Sequence, residues 1–170
     1  KLEAEKSLIS LAKKSETKLI IIRPPMIIGP NAPGNFAKLV NVINRNLPLP
    51  LRSVEFNKKS FLSISNLNDF IYRCLSIEHL KNDLFVLADS QYYSTSHFIE
   101  LLCHSMKKRN ILFPFPTLLL KKSLQMIGKK ELSIKLLSNM QIDSSYARKT
   151  LNWRPLISTE TELENCFKEI

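Results

Sequence analysis

The chain has 170 residues, is 44% hydrophobic and carries a formal charge of +10. That is enough apolar material for one domain core or a large piece of one, and the charge leaves an anionic partner open. A spanning helix is excluded, because no run of about 18 apolar residues occurs. The basic residues come in scattered pairs such as Lys13-Lys14, Lys58-Lys59, Lys121-Lys122 and Lys129-Lys130. A nucleic-acid binder concentrates them in one stripe with aromatics interleaved, so no nucleic-acid partner is expected. Cys74, Cys103 and Cys166 are far apart and form no C-x-x-C, which suits reduced thiols in a cytoplasmic protein. His79, His97 and His104 form no ligand cluster, so no metal is expected. There is no signal-peptide pattern, and the sequence opens without Met inside a predicted helix, as a piece of a longer chain would.

Residues 2–14 predict an amphipathic helix, with Leu2, Leu8, Ile9, Leu11 and Ala12 near one stripe. "KLIIIR" (Lys18 to Arg23) is apolar without alternation, the pattern of a parallel strand covered on both faces. Pro24 and Pro25 end it, since proline donates nothing to a ladder. Residues 35–46 read as a second helix and "LPLPLRS" as an extended link. "SFLSI" (Ser60 to Ile64) alternates like a strand. Asn66, with Asp69 three residues on, reads as the N-cap of the next helix. "DLFVLA" (Asp83 to Ala88) is a strand, and "STSHFIELLCHSMKK" starts at hydroxyls and continues as a helix. Residues 116–127 and 131–138 read as helices split near Gly128, and "DSSYARKTL" as a short capped one. "TETELENCFKEI" opens with Thr159 and Glu162 at capping-box spacing. The alternation of strands and helices predicts an α/β fold with a helical tail.

Only three glycines occur, at 29, 34 and 128, so the chain contains no G-x-G-x-x-G and no P-loop. One loop is unusual, residues 24–36, which follows a parallel strand and holds Gly29-Pro30 and "GNF". Loops at the carboxyl ends of parallel strands are where such folds bind ligands. "ILFPFPTLLLKKSLQMIGKK" (Ile111 to Lys130) mixes apolar residues with lysine pairs. It reads either as a packed helical subdomain or as a lid, a partner contact or a peripheral membrane surface.

Five collinear stretches resemble the NAD-dependent epimerase/dehydratase family of extended short-chain dehydrogenase/reductases, and only its C-terminal half. These are "KLEAEKSLI" from Lys1, "IIIRPPMIIGP" from Ile20, "GNF" from Gly34, "KKSFLSISNLNDFI" from Lys58 and "DSSYARKTLNWRP" from Asp143. The resemblance implies the latter part of a Rossmann-like parallel sheet with a small, mostly helical substrate-binding subdomain. Residues 1–90 would carry the sheet, and residues 91–170 the substrate-binding part. It implies NAD or NADP as cofactor, a nucleotide-diphosphate sugar as substrate and a homodimeric parent protein. It implies an epimerase that removes and returns hydride at a sugar carbon, C4 above all. A reductase or dehydratase of the same family is the alternative, and a non-catalytic nucleotide-sugar-binding remnant or scaffold a further one.

Site residues follow from the same resemblance. Lys1 matches the lysine of the family's Tyr-x-x-x-Lys pair, as a catalytic and cofactor-binding residue. A cation there favours the phenolate of the tyrosine. That tyrosine would precede Lys1 by four residues, so the chain by itself is expected to be inactive. Pro24, Pro25 and Met26 would run beside the nicotinamide, and Asn35 and Phe36 beside the nucleotide, Phe36 offering an apolar face to the base. Lys59, with Lys58 as the alternative, stands where relatives carry a diphosphate-binding arginine. Lysine binds phosphate as a point charge but cannot form the bidentate fork. Three positions depart from the family pattern: Met26 replaces a sugar-binding asparagine, Ile28 the tyrosine of the turn, and Asn152 a late glycine.

Overall fold

The computed structural model describes residues 2–78, 80 and 82–168. Lys1 and His79 therefore lie outside the described residues. The opening helix forms as α1 (Leu2–Ala12), with Glu3 and Glu5 in its first turn, where carboxylates suit the helix dipole. Of its residues only Ala12 is buried, and Leu2, Leu8 and Leu11 face outward. The apolar run becomes strand β1 (Ile20–Arg23). It pairs in parallel with the strand at Asp83–Val86, from Ile20 opposite Asp83 to Arg23 opposite Val86.

Beyond Arg23 the structure corrects the sequence reading. "MIIGP" is not simply a turn: Met26–Ile28 is a strand of its own, β2. It pairs in parallel with β3 (Phe61–Ser63), Met26 opposite Phe61. Pro24 and Pro25 have no N–H to give, so the first ladder stops and the chain changes partner. Helix α2 (Asn35–Asn44) follows, with Gly34 before it at φ 83. Helix α3 (Ile64–Ser76) starts directly after β3, and β4 (Asp83–Val86) follows it. The segment after β4 ties the two strand pairs together: the Leu87 amide donates to the Arg23 carbonyl, and the Asp89 amide to the Phe61 carbonyl.

Five more helices complete the described residues: α4 (Thr95–Ser105), α5 (Thr117–Met126), α6 (Lys130–Leu137), α7 (Ser145–Leu151) and α8 (Thr159–Cys166). The break between α5 and α6 falls at Gly128, at φ 74. Two expected caps are not caps. Asn66 lies inside α3, fully buried. Helix α8 is capped one residue early, by the Ser158 hydroxyl, which accepts from the Thr161 amide. Thr159 and Glu162 point inward instead, where the Thr159 hydroxyl donates to Asp89 and Glu162 accepts from the Ser65 amide.

Strand β3 separates two cores, because successive side chains leave a strand on opposite faces. Phe61 joins Ile28, Phe36, Ile43, Tyr93, Phe98 and Leu102 on one side. Leu62 joins Phe70, Phe85, Leu87, Ala147, Leu151 and Trp153 on the other. Trp153 meets Phe70 edge-on, ring centroids 5.3 Å apart, and its indole N–H donates to Asp69 at 2.9 Å. The late block Asp143 to Pro155 thus seals the β1–β4 pair. The fold is α/β with parallel strands, as the sequence predicts.

Gly29 is needed for close approach rather than for a left-handed turn. A Cβ there would sit 2.4 Å from Cγ2 of Ile64. Ile64 is β-branched and held in the first turn of α3, so it has one favoured rotamer and little room to retreat. Gly29→Ala is expected to cost about 1–3 kcal/mol, as overpacking of a full core does. Equilibrium denaturation measures it, and a cost below about 0.5 kcal/mol would show that the β2–α3 contact is loose.

Candidate functional site

Lys59 sits in a short extended segment between two neighbours. Its amide donates to the Tyr93 carbonyl at 2.8 Å, and the Ser60 amide donates to the Met140 carbonyl at 2.9 Å. Just before it, Asn57 is a buried clamp. Its side-chain NH2 donates to Thr95 Oγ1 at 2.8 Å and to the Leu136 carbonyl at 3.0 Å, while its Oδ1 accepts from the Thr95 amide at 2.9 Å. The segment is therefore fixed to the start of α4 and the end of α6.

The Lys59 residue is only 7% exposed, and its ammonium makes no ion pair with a described residue. Burial holds its pKa below the ordinary lysine value, because desolvation penalises the charged form. Lys58 beside it is exposed. Lys59 precedes by two residues the Phe61 that pairs with Met26, so it stands at the same end of the β2–β3 pair as Pro24 and Pro25. Pro24 is exposed, and Pro25 and Met26 are half-buried. Arg23, at the end of β1, is paired with Glu5 of α1, which fixes the entry to this loop.

Asn35 and Phe36 lie past the other end of β2, about 10 Å along for a strand of this length. Asn35 is exposed at the first turn of α2. Phe36 is not: at 3% exposure its ring packs among Ile28, Ile43 and Phe61. The expectation that Phe36 presents a face to a base is therefore corrected, since the core already covers that face. The β2–β3 register sets Pro24, Pro25, Met26 and Lys59 at one end of the strand pair and Asn35 past the other, and Lys1 lies outside the described residues.

A second polar cluster went unread in the sequence. Buried Asp89 accepts from the Ser63 hydroxyl at 2.6 Å, Asn66 Nδ2 at 2.7 Å, the Thr159 hydroxyl at 2.8 Å and the Ser63 amide at 3.1 Å. Asn66 also donates to the Ile157 carbonyl and accepts from the Leu156 amide. Asp89 borders a cavity of about 210 Å³ with Gln91, Leu156, Ser158 and Thr159. Every oxygen in the cluster is engaged in holding α3, α8 and the post-β4 segment together, so its role is structural. The signal for it was Asn66, four residues before Phe70 and so on the buried stripe of α3.

Neither buried nor tethered tyrosine is set up as a base. Tyr93 donates to Glu160 at 2.5 Å, and burial first, then that carboxylate, push its pKa up. Tyr146 donates to Asp83 at 2.6 Å, and that bond pushes its pKa up as well. Proton abstraction needs the opposite direction. Among the described residues no group of three metal-ligating side chains occurs, and no helix is long and apolar enough to cross a membrane.

No family model matches the sequence. A UDP-glucose 4-epimerase of Vibrio cholerae is 35% identical over 155 residues, 91% of this chain and 47% of the relative. The chain thus spans about half the length of the curated relative it matches. The fold is similar to that of a UDP-glucuronic acid 4-epimerase from Bacillus cereus solved in complex with NAD. There the TM-score is 0.71 at 16% identity, over 98% of this chain and 48% of that one. It is also similar to a UDP-glucose 4-epimerase from Thermotoga maritima solved with UDP-glucose, with a TM-score of 0.67 at 15% identity, over 99% of this chain and 50% of that one. The sequence match thus covers nearly the whole chain, and the two structural likenesses show a fold shared with about half of each of those enzymes.

Proposed function

We propose that this chain is the substrate-side half of a nucleotide-sugar 4-epimerase that uses NAD or NADP. The observation that carries the reading is Lys59, a largely buried lysine whose partly desolvated ammonium has no carboxylate partner among the described residues, at the same end of the β2–β3 pair as Pro24 and Pro25. A cation in that state gains most from a polyanion such as a diphosphate. Lys59 binds the diphosphate, Asn35 contacts the nucleotide, and Phe36 anchors the start of α2 so that Asn35 keeps its place. Residues 1–90 supply the nicotinamide side, and residues 91–170 close over the sugar.

The wall made by Pro24, Pro25 and Met26 fits a flat aromatic ring, being partly exposed, apolar and poor in backbone donors. The cofactor, when bound, supplies a reversible hydride acceptor. Lys1 would hold its ribose and favour the phenolate of a tyrosine four residues before it, as the resemblance implies. Met26 offers no hydrogen bond to the sugar, which leaves the keto intermediate freer to turn. The thiols raise no objection to a cytoplasmic setting: Cys103 is buried, and burial pushes Cys166 up to about 11, so both are poor nucleophiles. The outward leucines of α1 are the surface on which a second subunit would pair.

A binding-only protein is the second reading, favoured by Lys59 and Met26, which stand where the resemblance implies a diphosphate-binding arginine and a sugar-binding asparagine. One experiment separates the readings: incubate the natural gene product with NAD and UDP-glucose, and in parallel titrate UDP into it. UDP-galactose without net reduction of NAD is the expected result. Net cofactor turnover or a dehydrated sugar points to the reductase or dehydratase reading. UDP binding without conversion supports the binding-only protein, and a folded protein that does not bind UDP overturns the proposal.

A further inference from the structure

We propose that the outer face of α5 docks on an anionic lipid surface. The inward side of this helix is Leu120, with Leu124 packed against the core behind it. The opposite side should then be polar. Instead it presents Leu118 at 74% and Met126 at 87% exposure, with Leu119 exposed at its flank. Leu118, Lys122 and Met126 follow at i, i+4 and i+8, so the lysine stands in the middle of the apolar strip. Lys121 flanks it, and Lys129 and Lys130 follow at the turn into α6. Between residues 116 and 138 there are five lysines and one glutamate, Glu131.

That composition selects the occupant. An isologous contact between two copies would bring Lys122 toward Lys122 with no carboxylate to meet it. A protein partner would need a carboxylate set inside an apolar groove, where desolvation costs most. A bilayer surface meets both halves at once. The leucines and Met126 enter the acyl boundary, while Lys122 lays its stem along the same apolar layer and lifts its ammonium to the phosphates. Lys121, Lys129 and Lys130 add attraction to anionic headgroups, about 1 kcal/mol for each lysine near the surface. This inference stands apart from the nucleotide-sugar reading, because none of these residues lies in the loop at 24–36 or beside Lys59.

The test is sedimentation of the full chain with phosphatidylcholine vesicles, with and without phosphatidylglycerol. Binding is expected only when phosphatidylglycerol is present. Lys121→Gln with Lys122→Gln should weaken it about thirty-fold, from the loss of two lysines. Leu118→Gln with Met126→Gln should weaken it comparably without lowering the thermal midpoint, since both side chains are exposed. Lys13→Gln with Lys14→Gln removes the same charge elsewhere and should leave binding within about two-fold. No sedimentation, equal binding to pure phosphatidylcholine, or an equal loss in the Lys13/Lys14 variant would overturn the proposal. So would self-association, measured by analytical ultracentrifugation, that Leu118→Gln abolishes.

Discussion

Asp89→Ala is expected to be the most damaging single substitution in this fold, costing about 3–5 kcal/mol. The carboxylate is buried and accepts from four groups on three different segments. Removing it strands the Ser63 amide, the Ser63 hydroxyl, the Asn66 amide group and the Thr159 hydroxyl. A buried donor left unpaired costs about 1–3 kcal/mol, but hydroxyls rotate and water enters the neighbouring cavity, so the full sum is not reached. Asp89→Asn should cost less, because one acceptor oxygen remains. Asn66→Ala removes a shared partner, so the double variant should lose clearly less than the two singles added. Urea denaturation of the four chains closes that cycle. A loss below about 1 kcal/mol for Asp89→Ala, or strict additivity, would mean the cluster is wet and does not hold α3 to α8.

Reading the sequence alone recovered what periodicity and punctuation encode. The unbroken "KLIIIR" predicted a strand in a parallel pair, Gly128 split α5 from α6, and Pro24-Pro25 ended a ladder. What the prolines did next was not legible. A three-residue strand such as Met26–Ile28 has no period of its own, and it exists because β3 is there to receive it. The caps failed for a related reason. Asn66 and Thr159 have the right chemistry for a helix start, but each is held by Asp89, more than 20 residues away in sequence. Capping rules describe local competition, and a buried carboxylate wins it. Asn152 shows the reverse case, in which a local rule explains a departure from the family pattern. It replaces a late glycine and adopts φ 46, ψ 36, a left-handed position that asparagine tolerates better than most residues. Of the candidate site, the loop was visible from its glycines and prolines. The burial of Lys59 was not, because an adjacent pair of lysines gives no hint that one faces inward.

That burial supports a prediction in which binding and stability move apart. Lys59→Met should weaken UDP binding by about ten- to a hundred-fold, the worth of a hydrogen bond to a charged group. It should leave the free protein as stable as before or more so, because a partly desolvated cation with no carboxylate partner among the described residues opposes folding. The pH dependence follows from the same cause. The pKa of Lys59 in the folded chain is below its unfolded value. Its charge therefore opposes folding below the folded pKa, and stability rises as pH climbs from there toward the unfolded value. A bound diphosphate reverses the balance by favouring the charged amine. UDP affinity should thus be full below the depressed pKa and fall as pH rises through it, earlier than the ordinary lysine value of 10.5 would allow. Lys59→Arg should remove that fall, since arginine stays charged and adds a fork that fits a phosphate. Calorimetric titration of UDP across pH, beside thermal melts of the same three chains, gives both quantities. If Lys59→Met binds UDP as the parent does, the diphosphate is held elsewhere, and the buried lysine has no part in recognition.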